Sequence, residues 1–150
     1  MNSNPTPSAA PPVARLIEAF SRLPGVGPKS AQRLTYFMIR MPREEAEALA
    51  EALISVKDRI VLCSKCLNIT EDPVCAVCTN EQRDRSRICV VEEPLDVLAL
   101  ERTRAYDGLY HVLHGSISPV NGIGAEQLKI RELLDRLRDE TVTELILATN

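Results

Sequence analysis

The chain of 150 residues is 45% hydrophobic and 26% charged, a composition typical of a globular protein that folds as one compact body or two small ones. No apolar run approaches the roughly 18 residues that a membrane span needs, and no hydrophobic stretch near the N-terminus resembles a secretory signal, so we expect a cytosolic protein. The net charge of -3 and the aromatic content of 3% argue against a uniformly basic nucleic-acid binder and against a platform of stacked bases.

Charge is unevenly distributed along the chain. Of the 18 basic and 21 acidic residues, six basic residues and one acidic residue fall within residues 13–43, which gives this segment a net charge of +5 and the remainder a net charge of -8. A basic N-terminal part is therefore joined to an acidic remainder. Charge alone leaves open whether the basic side chains bind nucleic acid or only cover the surface of helices.

The first 12 residues contain four prolines among small and polar residues. Such a segment buries too little apolar surface to offset the loss of chain entropy, so we predict a disordered tail over residues 1–12. Three helices are predicted after the tail, with Gly25, Gly27 and Pro42 marking the breaks between them. They cover residues 13–21, 29–40 and 44–57.

Residues 23–31 are typical of a helix end, a tight glycine turn and the start of a new helix. Gly25 and Gly27 can both take positive φ and leave backbone N–H groups exposed. Beside the positive end of a helix dipole, such groups suit a phosphate oxygen. Lys29 and Arg33 are four residues apart on one helical face, where they would add charge beside that phosphate. The alternative is a turn that serves only packing between two helices.

Four cysteines form two Cys-x2-Cys pairs with eight residues between them. They are Cys63, Cys66, Cys75 and Cys78. Each pair can offer two thiolates to one tetrahedral ion, which predicts a structural zinc site without an open position for a catalytic water. Redox chemistry or an iron–sulfur cluster remains the alternative in a reducing compartment. The fifth cysteine, Cys89, lies in an apolar run and is predicted to be a core residue.

The hydrophobic pattern changes in the second half of the chain. Residues 81–87 are predicted to be a charged connector without a clear period. Short apolar runs after it predict strands, and longer periodic segments predict helices. The strands cover residues 88–91, 109–113 and 145–148, and the helices cover residues 95–100 and 128–137. Strands that alternate with helices indicate a parallel sheet covered by helices.

Acidic residues follow the first of these strands. Glu92 lies at its carboxyl end, where open α/β sheets bind ligands, and Asp96 follows one turn later. Metal-dependent phosphoryl chemistry needs further carboxylates on a neighbouring strand, but residues 145–148 are followed by Thr149 and the uncharged Asn150. Glu92 is therefore predicted to be a relic or an interaction residue, the alternative being half of a site whose other half is missing from the sequence. We predict no catalytic residues.

No nucleophile is evidently paired with either histidine. His111 and His114 are predicted to face opposite sides of a strand, and both are interpreted as structural or surface residues. The loop at residues 115–124 lacks the terminal Gly-Lys-[Ser/Thr] of a nucleotide-binding P-loop, so we interpret it as a long surface loop or an interface.

Taken in order, the motifs of this chain resemble those of one family. They are the glycine turn, the four cysteines, Ile-Cys-Val-Val-Glu-Glu-Pro-Leu-Asp at residues 88–96, and Tyr-His-Val-Leu-His-Gly at residues 110–115 followed by Ser118-Pro119. From about Val13 to the last residue, this order and spacing resemble the RecR family of bacterial recombination mediators. The resemblance implies a multi-part α/β fold. Its parts are a helical helix-hairpin-helix DNA-binding domain at residues 13–60, a four-cysteine zinc module at residues 61–80 and a Toprim domain with a parallel sheet at residues 81–150.

The same resemblance implies a role and partners. RecR-like proteins act with RecO and RecF to help load RecA onto single-stranded DNA at gaps, and they assemble as dimers and as ring tetramers able to encircle DNA. On this basis Lys29 and Arg33 match DNA-contacting positions, the four cysteines match the ligands of one structural zinc ion, and Glu92 and Asp96 match the acidic strand end of Toprim domains. The expected location is the cytoplasm, at the nucleoid, and the expected DNA contacts do not read sequence.

Catalytic Toprim proteins carry a motif that resembles Ala-Thr-Asp-x-Asp after the later strand, and Asn150 stands where its first Asp would fall. This difference favours a non-catalytic scaffold. Relatives continue past this point, so we expect a truncated chain with an incomplete Toprim domain, for which a ring is not assumed. The alternative function is a Mg²⁺-dependent nuclease or topoisomerase-like enzyme. A third hypothesis is an adaptor whose acidic half binds RecO and whose glycine hairpin is only structural.

Overall fold

A computed structural model describes residues 10–138 and 141–149 of the chain. The chain divides into two compact units, Met1–Val56 and Lys57–Asn150. Among the described residues, no helix combines the length and the hydrophobicity that crossing a membrane requires.

The described part of the first unit is helical. It contains α1 (Pro11–Ser21), α2 (Pro28–Arg40) and α3 (Arg43–Arg59), the last of which continues past the boundary between the units. Helix α1 packs against α2. Ala31 and Thr35, one turn apart on α2, are the buried side chains of that helix.

Helix α1 begins two residues before its predicted start, at Pro11. The predicted tail therefore ends before residue 12. Prolines can occupy the start of the helix because the N–H that proline lacks would have no partner in the first helical turn in any case. Residues 1–9 of the predicted tail lie outside the described residues.

The second unit begins with the cysteine-bearing segment. A short antiparallel hairpin of β1 (Val61–Leu62) and β2 (Ile69–Thr70) is followed by one helical turn, α4 (Ala76–Thr79). We refer to residues 61–80 as the cysteine module.

A parallel three-stranded sheet forms the rest of the second unit. Its strands are β3 (Asp84–Val91), β4 (Gly108–Val112) and β5 (Glu144–Ala148), in the spatial order β4-β3-β5, and its helices are α5 (Pro94–Thr103) and α6 (Ile130–Leu137). Two short 3-10 turns, Pro119–Asn121 and Ala125–Gln127, precede α6. The predicted mixed α/β fold with a parallel sheet is confirmed.

The two helices cover opposite faces of the sheet. On one face, Ile88 and Val90 of β3 form a cluster with Leu133 of α6. On the other face, Cys89 and Val91 form a cluster with Val97 of α5. Because β3 is covered on both faces, its residues 88–91 form a continuous apolar run rather than an alternating one. Cys89 is a buried member of this core, as predicted.

Strand β3 is longer than predicted. It begins at Asp84, so that more than half of the predicted charged connector belongs to the sheet. Asp84 is in register with Gly108 of β4, and Arg87 is in register with Glu144 of β5. The charged side chains remain compatible with a strand because Arg87 forms an ion pair with Asp84 at 2.8 Å and another with Asp107.

Candidate metal centre and nucleic-acid interface

Two turns present the four cysteines to one another. In the first, the Leu67 amide donates to the Cys63 carbonyl at 3.0 Å and the Cys63 amide donates to the Asn68 carbonyl at 2.8 Å. Leu67 takes a left-handed conformation with φ +62°, which tightens the connection between β1 and β2. In the second turn, Cys75 is the N-terminal cap of α4 and Cys78 lies within that helix. The Cys-x2-Cys spacing thus places both sulfur atoms of each pair on the inner side of a turn.

The four sulfur atoms lie within 4.8 Å of one another, and all four cysteines are buried. None of them forms a disulfide. A zinc–sulfur distance of about 2.3 Å in a tetrahedral site corresponds to sulfur atoms about 3.8 Å apart. The Cys66 and Cys75 sulfur atoms are 3.5 Å apart. Four soft donors at this separation fit one tetrahedral metal ion, so the four predicted cysteines can hold a metal together.

Hydrogen bonds within the cluster shift the pKa values of its thiols in opposite directions. The hydrogen bond between Cys66 and Cys75 holds the pKa of the Cys75 thiol below its ordinary value and that of Cys66 above it. The Cys75 amide also donates to the Cys63 sulfur atom at 3.3 Å. Because metals bind the thiolate rather than the thiol, an amide aimed at sulfur stabilises the form that a metal requires.

The cysteine module is hydrogen-bonded to the outer edge of the sheet. The Val112 amide of β4 donates to the Cys66 carbonyl at 2.9 Å. His114, with φ +58° just after β4, donates from Nε2 to the Leu67 carbonyl at 2.6 Å. Arg85 of β3 donates to the Cys78 carbonyl at 3.3 Å. Both turns of the module are therefore fixed to the sheet, and the first turn lies against the outer edge of β4.

Neither histidine lies in the cysteine cluster. His111 is fully buried in β4 and donates from Nε2 to the Lys129 carbonyl at 2.8 Å. Its Nδ1 atom has no hydrogen-bond partner among the described residues. Burial holds the pKa of His111 below its ordinary value. His114 lies beyond the end of β4 rather than on its opposite face.

The glycine turn of the first unit uses its two glycines differently. Gly25 has φ +78°, the left-handed conformation that glycine permits. Gly27 has φ -76° and is the N-terminal cap of α2, so it does not use the positive φ that glycine permits. The first bond of α2 runs from the Ala31 amide to the Gly27 carbonyl at 2.9 Å. The amides of Lys29 and Ser30 precede that bond at the positive end of the helix.

Lys29 and Arg33 lie on one exposed face of α2. They line a shallow groove of about 530 Å³ together with four further side chains of the same helix. These are Gln32, Tyr36, Phe37 and Arg40. Sequence reasoning counted Arg40 only as charge and did not single out Gln32, Tyr36 or Phe37. Extending the helical period beyond Arg33 would have found Tyr36 and Arg40, because residues 29, 33, 36 and 40 recur on one face.

The acidic residues after β3 have different surroundings. Asp96 accepts a hydrogen bond from the Glu93 amide at 2.8 Å and completes the capping box of α5. Glu92 lines a cavity of about 100 Å³ with Ser116 and Thr149, at the carboxyl ends of the strands. Asn150, at the position that the resemblance aligns with a catalytic Asp, lies outside the described residues. The structure thus separates a helix cap from a residue that faces a small cavity.

Family models match two parts of the chain. A RecR helix-hairpin-helix model matches residues 13–57, and a Toprim domain model matches residues 86–150. A recombination protein RecR from Herpetosiphon aurantiacus is 58% identical over 139 residues, which cover 93% of this chain and 68% of the relative. One from Chloroflexus aggregans is 59% identical over 141 residues, which cover 94% of this chain and 69% of the relative. One from Chlorobium luteolum is 58% identical over 144 residues, which cover 92% of this chain and 70% of the relative. With these similarities and this order of hairpin, cysteine cluster and parallel sheet, the chain belongs to the RecR family of recombination proteins.

Proposed function

We propose that this chain is a non-catalytic, DNA-binding recombination mediator that acts with RecO and RecF to promote RecA loading on single-stranded DNA at gaps. Membership of the RecR family supports the role in recombination and repair. We assign the DNA contacts to Gly25, Gly27, Lys29 and Arg33. We propose that it works in the cytoplasm, at the nucleoid, as a dimer or ring tetramer.

The exposed charge beside the glycine turn is the observation that carries this proposal. Helix α2 contains no acidic residue. Within residues 10–138 and 141–149, no carboxylate lies within ion-pair distance of Lys29 or Arg33. Since their charge is not neutralised, both side chains are available to phosphate groups, and contacts of this kind do not read sequence.

The domain boundaries that we propose are those predicted from the sequence. Residues 13–60 bind DNA, residues 61–80 hold the metal, and residues 81–150 form the Toprim domain. We assign one structural zinc ion to Cys63, Cys66, Cys75 and Cys78, where it would cross-link the two turns of the cysteine module. Iron in the same four-sulfur site is the alternative, and metal analysis of purified protein distinguishes the two.

Salt-dependent DNA binding tests the proposal. Fluorescence anisotropy with a labelled 20-mer should show affinity that falls steeply as salt rises, because phosphate contacts release counterions. Lys29→Ala/Arg33→Ala should weaken binding by about 10- to 100-fold at fixed low salt. Arg43→Ala is the matched control, since Arg43 is exposed but paired with Glu47 at 2.7 Å. Equal affinity of the double variant and wild type would refute the DNA assignment and favour an adaptor that binds protein only.

The rival function is a Mg²⁺-dependent nuclease or topoisomerase-like enzyme. It is favoured by Glu92, which lines a cavity at the carboxyl ends of the strands. Supercoiled plasmid incubated with Mg²⁺ distinguishes the two functions. Nicking that EDTA abolishes and Glu92→Gln removes would establish the enzyme, whereas plasmid that stays intact while bound supports the mediator.

A further inference from the structure

The outward face of α2 carries more than the two proposed phosphate contacts. At about 100° per residue, Lys29, Tyr36, Arg40 and Arg33 fall within about 60° of one another around the helix axis. The buried residues Ala31 and Thr35 lie on the other side. We call residues 29, 33, 36 and 40 the α2 track. It extends about 16 Å along the helix, at about 1.5 Å per residue.

The track combines cations with an exposed aromatic ring. Tyr36 is 54% exposed although it lies next to Thr35, which is fully buried. Phe37, which borders the same groove, is 59% exposed. The chain has only five aromatic residues, three Tyr and two Phe, so two of them lie together on this surface. An aromatic ring between arginines presents a face for stacking and charge for phosphate at once.

We infer that the α2 track binds single-stranded nucleic acid, with Tyr36 stacking on a base and Arg40 contacting a phosphate beyond those held by Lys29 and Arg33. This inference rests on the proposed function and adds a strand preference to it. Low aromatic content argues against an extended stacking platform, but one ring in the middle of a cationic stripe serves one base. Bases in a duplex are already stacked on one another, so Tyr36 would discriminate in favour of single strands.

Charge favours nucleic acid over a second copy of this chain as the occupant. A two-fold interface centred on the track would bring Lys29, Arg33 and Arg40 of one copy against the same residues of the other. In the described part of the chain, none of these three cations has a carboxylate partner, whereas Arg22 and Arg43 each pair with a glutamate four residues away. Like charges brought together without counter-charges oppose association. A phosphate chain instead complements all three.

Three ligands of equal length test the inference on the full chain. They are labelled dT20, the same oligonucleotide with abasic sites in place of the bases, and a 20-base-pair duplex. Wild type should bind dT20 more tightly than the abasic strand. Tyr36→Ala should lose about 10-fold in affinity for dT20 and little for the abasic strand. Tyr36→Phe should retain the preference, and Tyr36→Leu, which keeps apolar bulk without a ring, should lose it.

Arg40→Ala should instead weaken dT20 and the abasic strand equally and make the salt dependence shallower by about 0.7 in the slope of log K against log salt. Arg43→Ala controls for net charge and should change neither quantity. Tyrosine fluorescence supplies a direct signal, because the chain contains no Trp. Stacking on Tyr36 should quench part of the tyrosine emission when dT20 binds, and Tyr36→Phe should abolish that part.

Separate outcomes overturn the inference and the proposed function. If Lys29→Ala/Arg33→Ala abolishes binding while all Tyr36 variants bind dT20 like wild type, the stacking inference fails and the DNA site stands. If the double variant also binds normally, both fail. If Tyr36→Ala lowers the mass in sedimentation equilibrium and leaves the preference for dT20 over the abasic strand intact, a second copy occupies this face and the inference is wrong.

Discussion

The two units bury their side chains to very different extents. In the described part of the first unit only Ala31 and Thr35 are buried, whereas the second unit buries four cysteines and the apolar side chains on both faces of its sheet. The residues of interest in the first unit are exposed cations and an exposed ring. The residues of interest in the second unit are the four cysteines, the helix-capping Asp96, and two histidines that donate hydrogen bonds to backbone carbonyl groups. Substitutions at the first set should therefore change DNA binding, and substitutions at the second set should change stability.

The cysteine cluster should show the largest effect on stability. Cys66→Ser/Cys75→Ser should lower the free energy of unfolding by at least about 5 kcal/mol, because structural zinc contributes roughly 10–16 kcal/mol in small metal-dependent domains. Urea unfolding followed by circular dichroism, with metal content measured on the same samples, checks this. Cys89→Ala is the control, since Cys89 is buried in the sheet and lies outside the cluster. It should keep the metal and cost about 1 kcal/mol. A double variant as stable as wild type would show that the metal is not structural.

His111 should make the second unit sensitive to pH. Burial holds the pKa of folded His111 below the ordinary 6.5, so below about pH 6.5 the unfolded chain takes up a proton that the folded chain does not. Stability should therefore fall as pH drops from about 6.5 toward the folded pKa, by at most about 1.4 kcal/mol per pH unit. Urea unfolding of wild type and His111→Gln from pH 7.5 to 5.5 checks this. Gln can still donate to the Lys129 carbonyl but does not titrate, so its profile should be flatter. Parallel profiles would exclude His111 as the source.

The two units also differ in how far sequence predicts them. The four cysteines were identified residue by residue because Cys-x2-Cys spacing defines a ligand geometry that no packing pattern imitates. Helices and strands were placed within a few residues because the apolar period follows burial. The start of β3 was missed because Asp84 and Arg87 form ion pairs within the sheet, and a pattern based on apolar residues does not detect such a strand.

Contacts between residues far apart in the chain could not be predicted from the sequence. The bond from His114 to the Leu67 carbonyl joins residues 47 positions apart, and nothing near either residue indicates it. The α2 track was within reach, because it continues the helical period of Lys29 and Arg33 by two further turns. The overall composition did not indicate the track, because a low average aromatic content does not show that two aromatic residues border the same exposed groove.

Substitution of His114, which links the cysteine module to the sheet, should have an intermediate effect on stability. His114→Asn should lower the free energy of unfolding by about 1–2 kcal/mol, because the Leu67 carbonyl loses its donor. Asn tolerates positive φ, so a further loss in His114→Ala measures the cost of the left-handed backbone. Both variants should lose metal to a chelator faster than wild type, since one of the two hydrogen bonds that fix the first turn to β4 and the residues just after it is then lost. Unchanged metal release would show that the turn is held by the metal alone.

Asp96 should show the smallest effect and provides the sharpest contrast with the first unit. Its carboxylate accepts from the Glu93 amide in the capping box of α5. Asp96→Ala should therefore cost about 1 kcal/mol in the free energy of unfolding. Asp96→Asn keeps an acceptor for the same amide and should recover most of that loss. Neither variant should change the affinity for dT20 or its salt dependence, because the net charge of the α2 track is unaltered. A change in DNA affinity with stability preserved would place Asp96 in a DNA-binding interface. It would contradict the assignment of DNA binding to the first unit and of a structural role to the residues of the second.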